Sequence, residues 1–255
     1  QNIIWKSRLP QALTALVAGA GLSISGLQMQ TVFRNPLAGP SVLGISSGAS
    51  MGVAFVVLLS GSLGGVALSK LGFMGEIALS IAAVIGSLSV MALIVYVSQK
   101  VKGNVTLLII GVMIGYVANA VIGVLKFFSV EEDIRAYVIW GLGSFARVSG
   151  NQMTLFVILM TILIPLSFLL IKTMNLMLLG DSYARNLGLN IKRARLLVIT
   201  SAGVLTAIVT AYCGPIIFLG LAVPHLCRAI FQTSDHRILM PAVLFAGAAL
   251  ALICN

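Results

Sequence analysis

Long apolar runs, separated by short polar or charged clusters, dominate the chain. A transmembrane helix needs roughly 20 apolar residues to cross the hydrocarbon core of a bilayer. Stretches without Asp, Glu, Lys or Arg that approach or exceed this length occupy residues 9–33, 37–69, 77–99, 103–125, 148–171, 196–227 and 238–255. The pattern predicts an all-α integral membrane protein, a polytopic helical bundle.

The sixth run is too long for one crossing. It has 32 residues, and Gly214-Pro215 lies near its middle. Proline lacks a backbone N–H and breaks the helical hydrogen-bond ladder. We therefore expect two spans here, the second short and extended past Arg228, and about eight transmembrane helices in all.

The amino-acid composition is typical of an integral membrane protein. The chain is 59% hydrophobic and 9% charged, with a mean hydropathy of +1.10, whereas soluble domains are about 25% charged. The net charge of +10 is spread over short clusters between apolar runs, which favours membrane topology over nucleic-acid binding. The three cysteines are far apart in the sequence, so we expect neither a disulfide framework nor a metal site.

The basic residues divide unevenly between alternate loops. Under the positive-inside rule, the richer side is cytoplasmic and the chain enters from outside at Arg8. The cytoplasmic side would hold ten: Arg34, Lys100, Lys102, Lys172, Arg185, Lys192, Arg193, Arg195, Arg228 and Arg237; the outer side would hold Lys6, Arg8, Lys70, Lys126, Arg135 and Arg147. If residues 196–227 formed a single span, Arg228 and Arg237 would change sides and each side would hold eight basic residues. The positive-inside rule expects an uneven count, and this favours eight helices.

Several function classes fit poorly. No Lys, Arg, Asp or Glu lies deep in a predicted span, although coupled transporters usually place an ionisable group there. The chain has no GxxxxGK[ST] motif for ATP phosphates. An intramembrane enzyme would depend on His225 alone. Energy for transport is therefore expected from another chain, and an ATP-independent channel or carrier is the alternative.

Small residues and helix caps give local predictions. Gly44, Gly48 and Gly52, and likewise Gly111 and Gly115, have GxxxG spacing, which brings helix backbones together in lipid. Ser129 and Glu132 have capping-box spacing, so a helix is expected over 130–140, lying flat at the outer mouth.

The cytoplasmic segment 175–195 is expected to form short helices outside the membrane. Asp181 suits an N-cap, and Gly188 suits the left-handed position after a helix. A capped helix over 182–187 would expose Ala184 and Leu187 to a partner. The alternative is a plain connector held by positive-inside charges.

Several segments resemble the FecCD/BtuC-like permease family, the membrane subunits of iron-siderophore, haem and vitamin B12 ATP-binding-cassette importers. The resemblance covers essentially the whole chain. The matching residues are Arg8-Leu9-Pro10, Arg34 to Ala38 with Pro40, Leu43 to Ala49, Trp140 with Gly143 to Phe145, Leu179 to Asp181 with Ala184 and Leu187-Gly188, Gly214 to Arg228, and Asp235-His236-Arg237 with Pro241.

The resemblance implies a single permease domain over 1–255 that corresponds to spans two to nine of a family with about ten, without the first and last. It implies no cofactor, a multi-pass location in the bacterial cytoplasmic (inner) membrane, and three kinds of partner. These are a second permease copy in a homodimer, two ATP-binding subunits, and an extracytoplasmic substrate-binding protein.

Site residues follow from the same resemblance. Arg8 would dock the binding protein, although the family's second arginine is Gln11 here. Asn35 and Leu37 would form a cytoplasmic gate with Gly103 and Asn104. The coupling helices that contact the ATPase would comprise Gly180, Asp181, Ala184, Arg185, Leu187 and Gly188.

Overall fold

A computed structural model describes residues 8–62, 73–101, 103–148 and 150–255. Lys6, Lys70 and Lys102, which entered the charge count, and the side chain of Asn104 lie outside the described residues. The described part is built from α-helices and short 3-10 turns: α1 Leu9–Phe33, α2 Ile45–Ser62, α3 Phe73–Lys100, α4 Asn104–Phe127, α5 Glu131–Gly141, α6 Gly150–Phe168, α7 Ile171–Leu178, α8 Asp181–Asn186, α9 Ile191–Cys213, α10 Leu219–Phe231 and α11 His236–Ile253. The all-α prediction is confirmed.

The predicted spans correspond to helices of unequal length. In the described part, α1, α3, α4, α9 and α11 are long and apolar enough to cross a membrane. Helices α6 and α7 form a pair bent by 45°, while α2 and α10 are shorter apolar helices. The eight apolar segments are present, but only five of them are straight helices of full spanning length.

Helix α1 is the centre of the bundle. Its residues are buried almost without interruption from Thr14 to Phe33, and it packs against α6, α9, α10 and α11. A Cβ added at Gly26 would overlap the carbonyl of Gly220 on α10, and one added at Gly19 would overlap the carbonyl of Gly247 on α11. These glycines allow backbone contact between helices, which lipid itself does not drive.

The predicted GxxxG glycines do lie at helix contacts. Gly48 packs against Gly86 of α3, and Gly52 packs against Ala82 of the same helix. Gly44, with a φ of +74°, lies against Gly111 and Gly115 of α4. The prediction that these positions serve helix packing is confirmed.

The predicted break at Gly214-Pro215 is also present. Helix α9 ends at Cys213, and Gly214 takes a φ of +78° beside the carbonyl of Trp140. Helix α10 then begins beside Gly26, in the middle of α1, and its 13 residues extend for about 20 Å at 1.5 Å per residue. Arg228, in the last turn of α10, donates to Gln30 near the end of α1. The last turns of the two helices therefore lie together, as the eight-helix topology requires.

The predicted capping box at Ser129 is wrong. Helix α5 has Val130 as its N-cap without a side-chain cap, and the Ser129 hydroxyl instead donates to the carbonyls of Leu125 and Leu58. Tyr137 and Trp140 are buried because α5 packs on α2. The hydroxyl therefore joins α4 to α2, and α5 is part of the bundle rather than a helix free at its surface.

Candidate functional site

Helix α8 is a short element at the Arg34 end of the bundle. It begins at Asp181, and its N-cap is Gly180 with a φ of +99°, so the predicted N-cap role of Asp181 is wrong. At the other end, the N–H of Gly188 donates to Arg185 and that of Leu189 donates to Ala184. This is a Schellman motif, with Gly188 at a φ of +84° as the sequence predicts.

The exposed face of α8 differs from the predicted one. Ala184 is 0% exposed and packs inside its own chain, so its predicted contact with a partner is wrong. Leu187 is 55% exposed, as expected, and Leu179 and Tyr183 are exposed with it at 55% and 61%. These three residues, Leu179 before the helix, Tyr183 within it and Leu187 directly after it, are here called the α8 apolar face. Arg185 beside them is also exposed.

The side chain of Asp181 points back into the protein. Its Oδ1 accepts a hydrogen bond from Arg34 Nη2 at 2.5 Å, and its Oδ2 lies 3.7 Å from Arg195 Nη2. Arg34 is the residue that ends α1, and it takes a left-handed φ of 48°. Pairing with two arginines from other helices explains why Asp181 does not turn toward the free N–H groups of its own helix.

The predicted gate segment follows Arg34 directly. Asn35 Oδ1 accepts a hydrogen bond from the N–H of Leu37 at 2.9 Å, which fixes a turn where Pro36 prevents the helix from continuing. Leu37 is 66% exposed, whereas Ala38 is buried. Pro40, also buried, packs against Gly220 at the start of α10. The segment is thus anchored on one side and presents Leu37 on the other.

The second predicted constriction lies at the start of α4. Gly103 is its N-cap, with an extended φ of −105°, and Asn104 is its first residue. The atoms nearest to a Cβ placed on Gly103 all belong to Thr106 of the same helix. The described contacts therefore do not join Gly103 to the Asn35 turn within this chain.

A polar network surrounds the end of α1. Arg228 donates to Gln30 Oε1, and Gln30 donates to the carbonyl of Leu221. Arg34, Asn35 and Arg228 also line a cavity of about 330 Å³. A cavity lined by polar side chains therefore adjoins the Arg34 end of α1, while Gln30 and Thr31 are themselves buried.

His236 is the buried centre of a second part of this network. It is 0% exposed, and its ring nitrogens lie 2.7 Å from Thr31 Oγ1 and 2.7 Å from Asn175 Oδ1. Asn175 also donates to Asp235, which caps α11. Hydrogen bonds from the N–H of Arg237 and from Asn175 hold the pKa of the Asp235 carboxyl below its ordinary value.

Gln30, Thr31, Asn175, Arg195 and His236 are not among the site residues expected from the sequence, although Arg195 entered the charge count and His236 matched a family motif. Polar residues near the ends of apolar runs were the available signal, but their partners lie far away in the sequence. The histidine considered from the sequence, His225, is exposed. Its ring therefore does not share the enclosed environment of His236.

Arg8 lies at the opposite end of α1. It is exposed and precedes Leu9, the first residue of the helix. Gln11, at the position of the expected second arginine, donates to Asn255 Oδ1 at 2.8 Å. The start of α1 and the end of α11 are thus neighbours, and one cationic side chain is exposed beside them.

A polytopic bundle with a polar end, an anchored turn and a projecting apolar helix defines a membrane transport protein. The whole chain, residues 1–255, matches the profile of the FecCD transport family. The chain belongs to this family and is a multi-pass membrane permease.

Named relatives agree with this assignment. The chain is 35% identical to the vitamin B12 import system permease protein BtuC of Klebsiella pneumoniae over 99% of this chain and 72% of that protein. It is 36% identical to the hemin transport system permease protein HmuU of Yersinia pestis, over 99% of this chain and 74% of that protein. A solved inward-facing metal-chelate type ABC transporter superposes with a TM-score of 0.88 at 30% identity, covering 99% of this chain and 77% of that one.

Proposed function

We propose that this chain is the permease subunit of an ATP-binding-cassette importer that takes up a metal chelate or a related macrocycle such as haem or cobalamin. The observation that carries the proposal is the family match over the whole chain, at about 35% identity to B12 and hemin permeases. In this function the chain forms the pathway and ATP is hydrolysed by a separate subunit.

The α8 apolar face is the proposed contact with that subunit. Leu179, Tyr183 and Leu187 project from an element that is otherwise fixed to the bundle by Ala184 and Asp181. Exposed apolar residues of this kind outside the bilayer favour protein contact. Arg185 and the positive charges of the Arg34 end support a cytoplasmic side for this face, at the inner membrane of a bacterial cell.

The remaining partners follow from the same assignment. A second copy of the chain would complete the pathway, with Asn35 and Leu37 narrowing its inner end together with Gly103 and Asn104. Arg8 would meet a carboxylate of a substrate-binding protein at the outer end. The permease itself binds cargo loosely, and selection belongs to the binding protein.

The decisive experiment is purification of the tagged permease co-expressed with a candidate ATP-binding subunit from the same organism. Co-purification, together with ATP-dependent uptake of cyanocobalamin, haemin or a ferric siderophore into proteoliposomes, is the expected result. Uptake that proceeds without ATP or without the ATPase would instead identify an independent channel or carrier.

A further inference from the structure

Asp181 is the meeting point of three helices. It is the first residue of α8, and its two carboxylate oxygens face arginines from the end of α1 and from α9. Arg34 and Asp181 are 147 residues apart in the sequence. A single carboxylate therefore fixes the position of α8 relative to two membrane helices.

The junction is partly enclosed. The side chain of Arg195 is 10% exposed, and its Nε has no hydrogen-bond partner in the structure. Arg34 makes a further contact, because its Nη2 also donates to the carbonyl of Met177 at 3.1 Å. A cation buried in this way depends on its counter-charge much more than a cation on an open surface does. The Arg34–Asp181 pair itself is more open, with side chains 42% and 40% exposed, so its importance lies in the two elements that it joins rather than in its contribution to stability.

Other contacts of α8 are few. The helix has six residues, of which Ala184 alone is buried. Arg34, in contrast, is joined covalently to Asn35, Pro36 and Leu37. Any displacement of α8 that keeps its ion pair must move Arg34, and with it the start of the Asn35–Leu37 turn.

We propose that Asp181 is a positioning residue that holds α8 to the end of α1 and transmits motion of α8 to the Asn35–Leu37 turn. Arg34 is the residue of α1 that it holds, and Arg195 orients the carboxylate from the other side. This inference rests on the proposed function, in which the ATPase moves α8. The ion pair is therefore a link between the ATPase contact and the gate.

The test follows the accessibility of the gate in the complete transporter. Leu37→Cys is introduced with Cys254→Ser, since Cys254 is exposed while Cys213 and Cys227 are buried. The permease is reconstituted with its ATP-binding subunits in nanodiscs. The rate of labelling by a hydrophilic maleimide is compared between the nucleotide-free and the ATP-vanadate states, and we expect these rates to differ several-fold.

Asp181→Asn should bring that ratio close to one, and Arg34→Gln should do so while the ATP-binding subunits still co-purify and hydrolyse ATP. Asp181→Glu, which retains the charge, should restore most of the ratio, and Glu132→Gln is the control for loss of a carboxylate elsewhere. Arg34→Gln leaves the Asp181–Arg195 pair in place, so it should give the same loss even where Asp181→Asn folds poorly.

A wild-type ratio in Arg34→Gln or in folded Asp181→Asn overturns the inference and leaves the proposed function intact. Absence of an ATP-binding subunit from the unmodified permease overturns the proposed function, and the inference with it. A purely structural role would lower thermal stability and ATPase association together, without selectively removing the nucleotide-dependent difference at Leu37.

Discussion

Thr31 Oγ1 and His236 Nε2 lie 2.7 Å apart and join the last turn of α1 to the first residue of α11. Both side chains are buried, and the other ring nitrogen of His236 faces Asn175 Oδ1. One imidazole thus connects three helices near the proposed gate. The contact holds the end of α1 to α7 and to the start of α11.

Replacement of His236 by Ala should destabilise the permease. The change removes the two ring contacts with Thr31 and Asn175 and leaves a cavity in place of a buried imidazole, at a cost of about 2 kcal/mol. Thermal unfolding of the purified protein in detergent should show a lower midpoint. His225→Ala is the matched control, since His225 is exposed, and equal midpoints for the two variants would contradict the anchoring role.

A second prediction concerns the contact between α1 and α10. A Cβ at Gly26 would overlap the backbone of Gly220, so Gly26→Ala must push the helices apart at a cost of about 1–3 kcal/mol. Gly123→Ala on α4 is the control, because no atom lies within 4 Å of its added Cβ. Gly26→Ala should show a lower recovery in size-exclusion chromatography and a lower thermal midpoint than Gly123→Ala. Wild-type behaviour of Gly26→Ala would show that α10 is not held at this point.

The positions of the helices could be predicted from the sequence, because apolar runs of spanning length and a Gly-Pro break are local signals. The same holds for Gly188, whose left-handed geometry is set by its immediate neighbours. Asp181 was assigned to an N-cap because local statistics favour that role, whereas its partners Arg34 and Arg195 come from distant helices. The burial of Ala184 was missed for a related reason: a six-residue helix has no periodicity that identifies its inner face.

Because Ala184 is buried and Tyr183 is exposed, the contact with the ATPase is best tested by a substitution at Tyr183. Tyr183→Glu places a charge on the α8 apolar face, and we expect it to weaken association with the ATP-binding subunit about tenfold or more, as for a central interface residue. Thermal stability of the permease alone should stay unchanged, and Tyr183→Phe should retain association. Binding of the purified ATPase to nanodisc-embedded permease measures association for both Tyr183 variants.

Ala184→Arg should behave differently from Tyr183→Glu. Ala184 is 0% exposed, so a guanidinium there has no room and would detach α8 from the bundle. We expect a lower thermal midpoint even without the ATPase. If Ala184→Arg lost ATPase binding while its stability stayed at the wild-type value, the inward orientation of Ala184 would be wrong.

The last prediction concerns the outer end, where Arg8 is exposed and Gln11 is bound to Asn255. An exposed arginine can pair in a bidentate manner with a carboxylate of an incoming protein, and such charges act mainly on the association rate. Arg8→Glu should slow binding of the substrate-binding protein at low salt and reduce the dependence of the rate on salt. Gln11→Arg, which adds a second cation beside the first, should accelerate it.

Stopped-flow or surface-immobilised binding at two salt concentrations distinguishes docking from simple anchoring of the helix end. Arg135→Ala is the control, because Arg135 is also exposed and belongs to the outer side by the charge count; its removal lowers the same long-range potential without touching the proposed contact. Docking requires a larger effect at Arg8 than at Arg135. If both variants slow association equally, or if Arg8→Ala leaves rate and uptake unchanged, Arg8 only anchors α1 among the lipid headgroups.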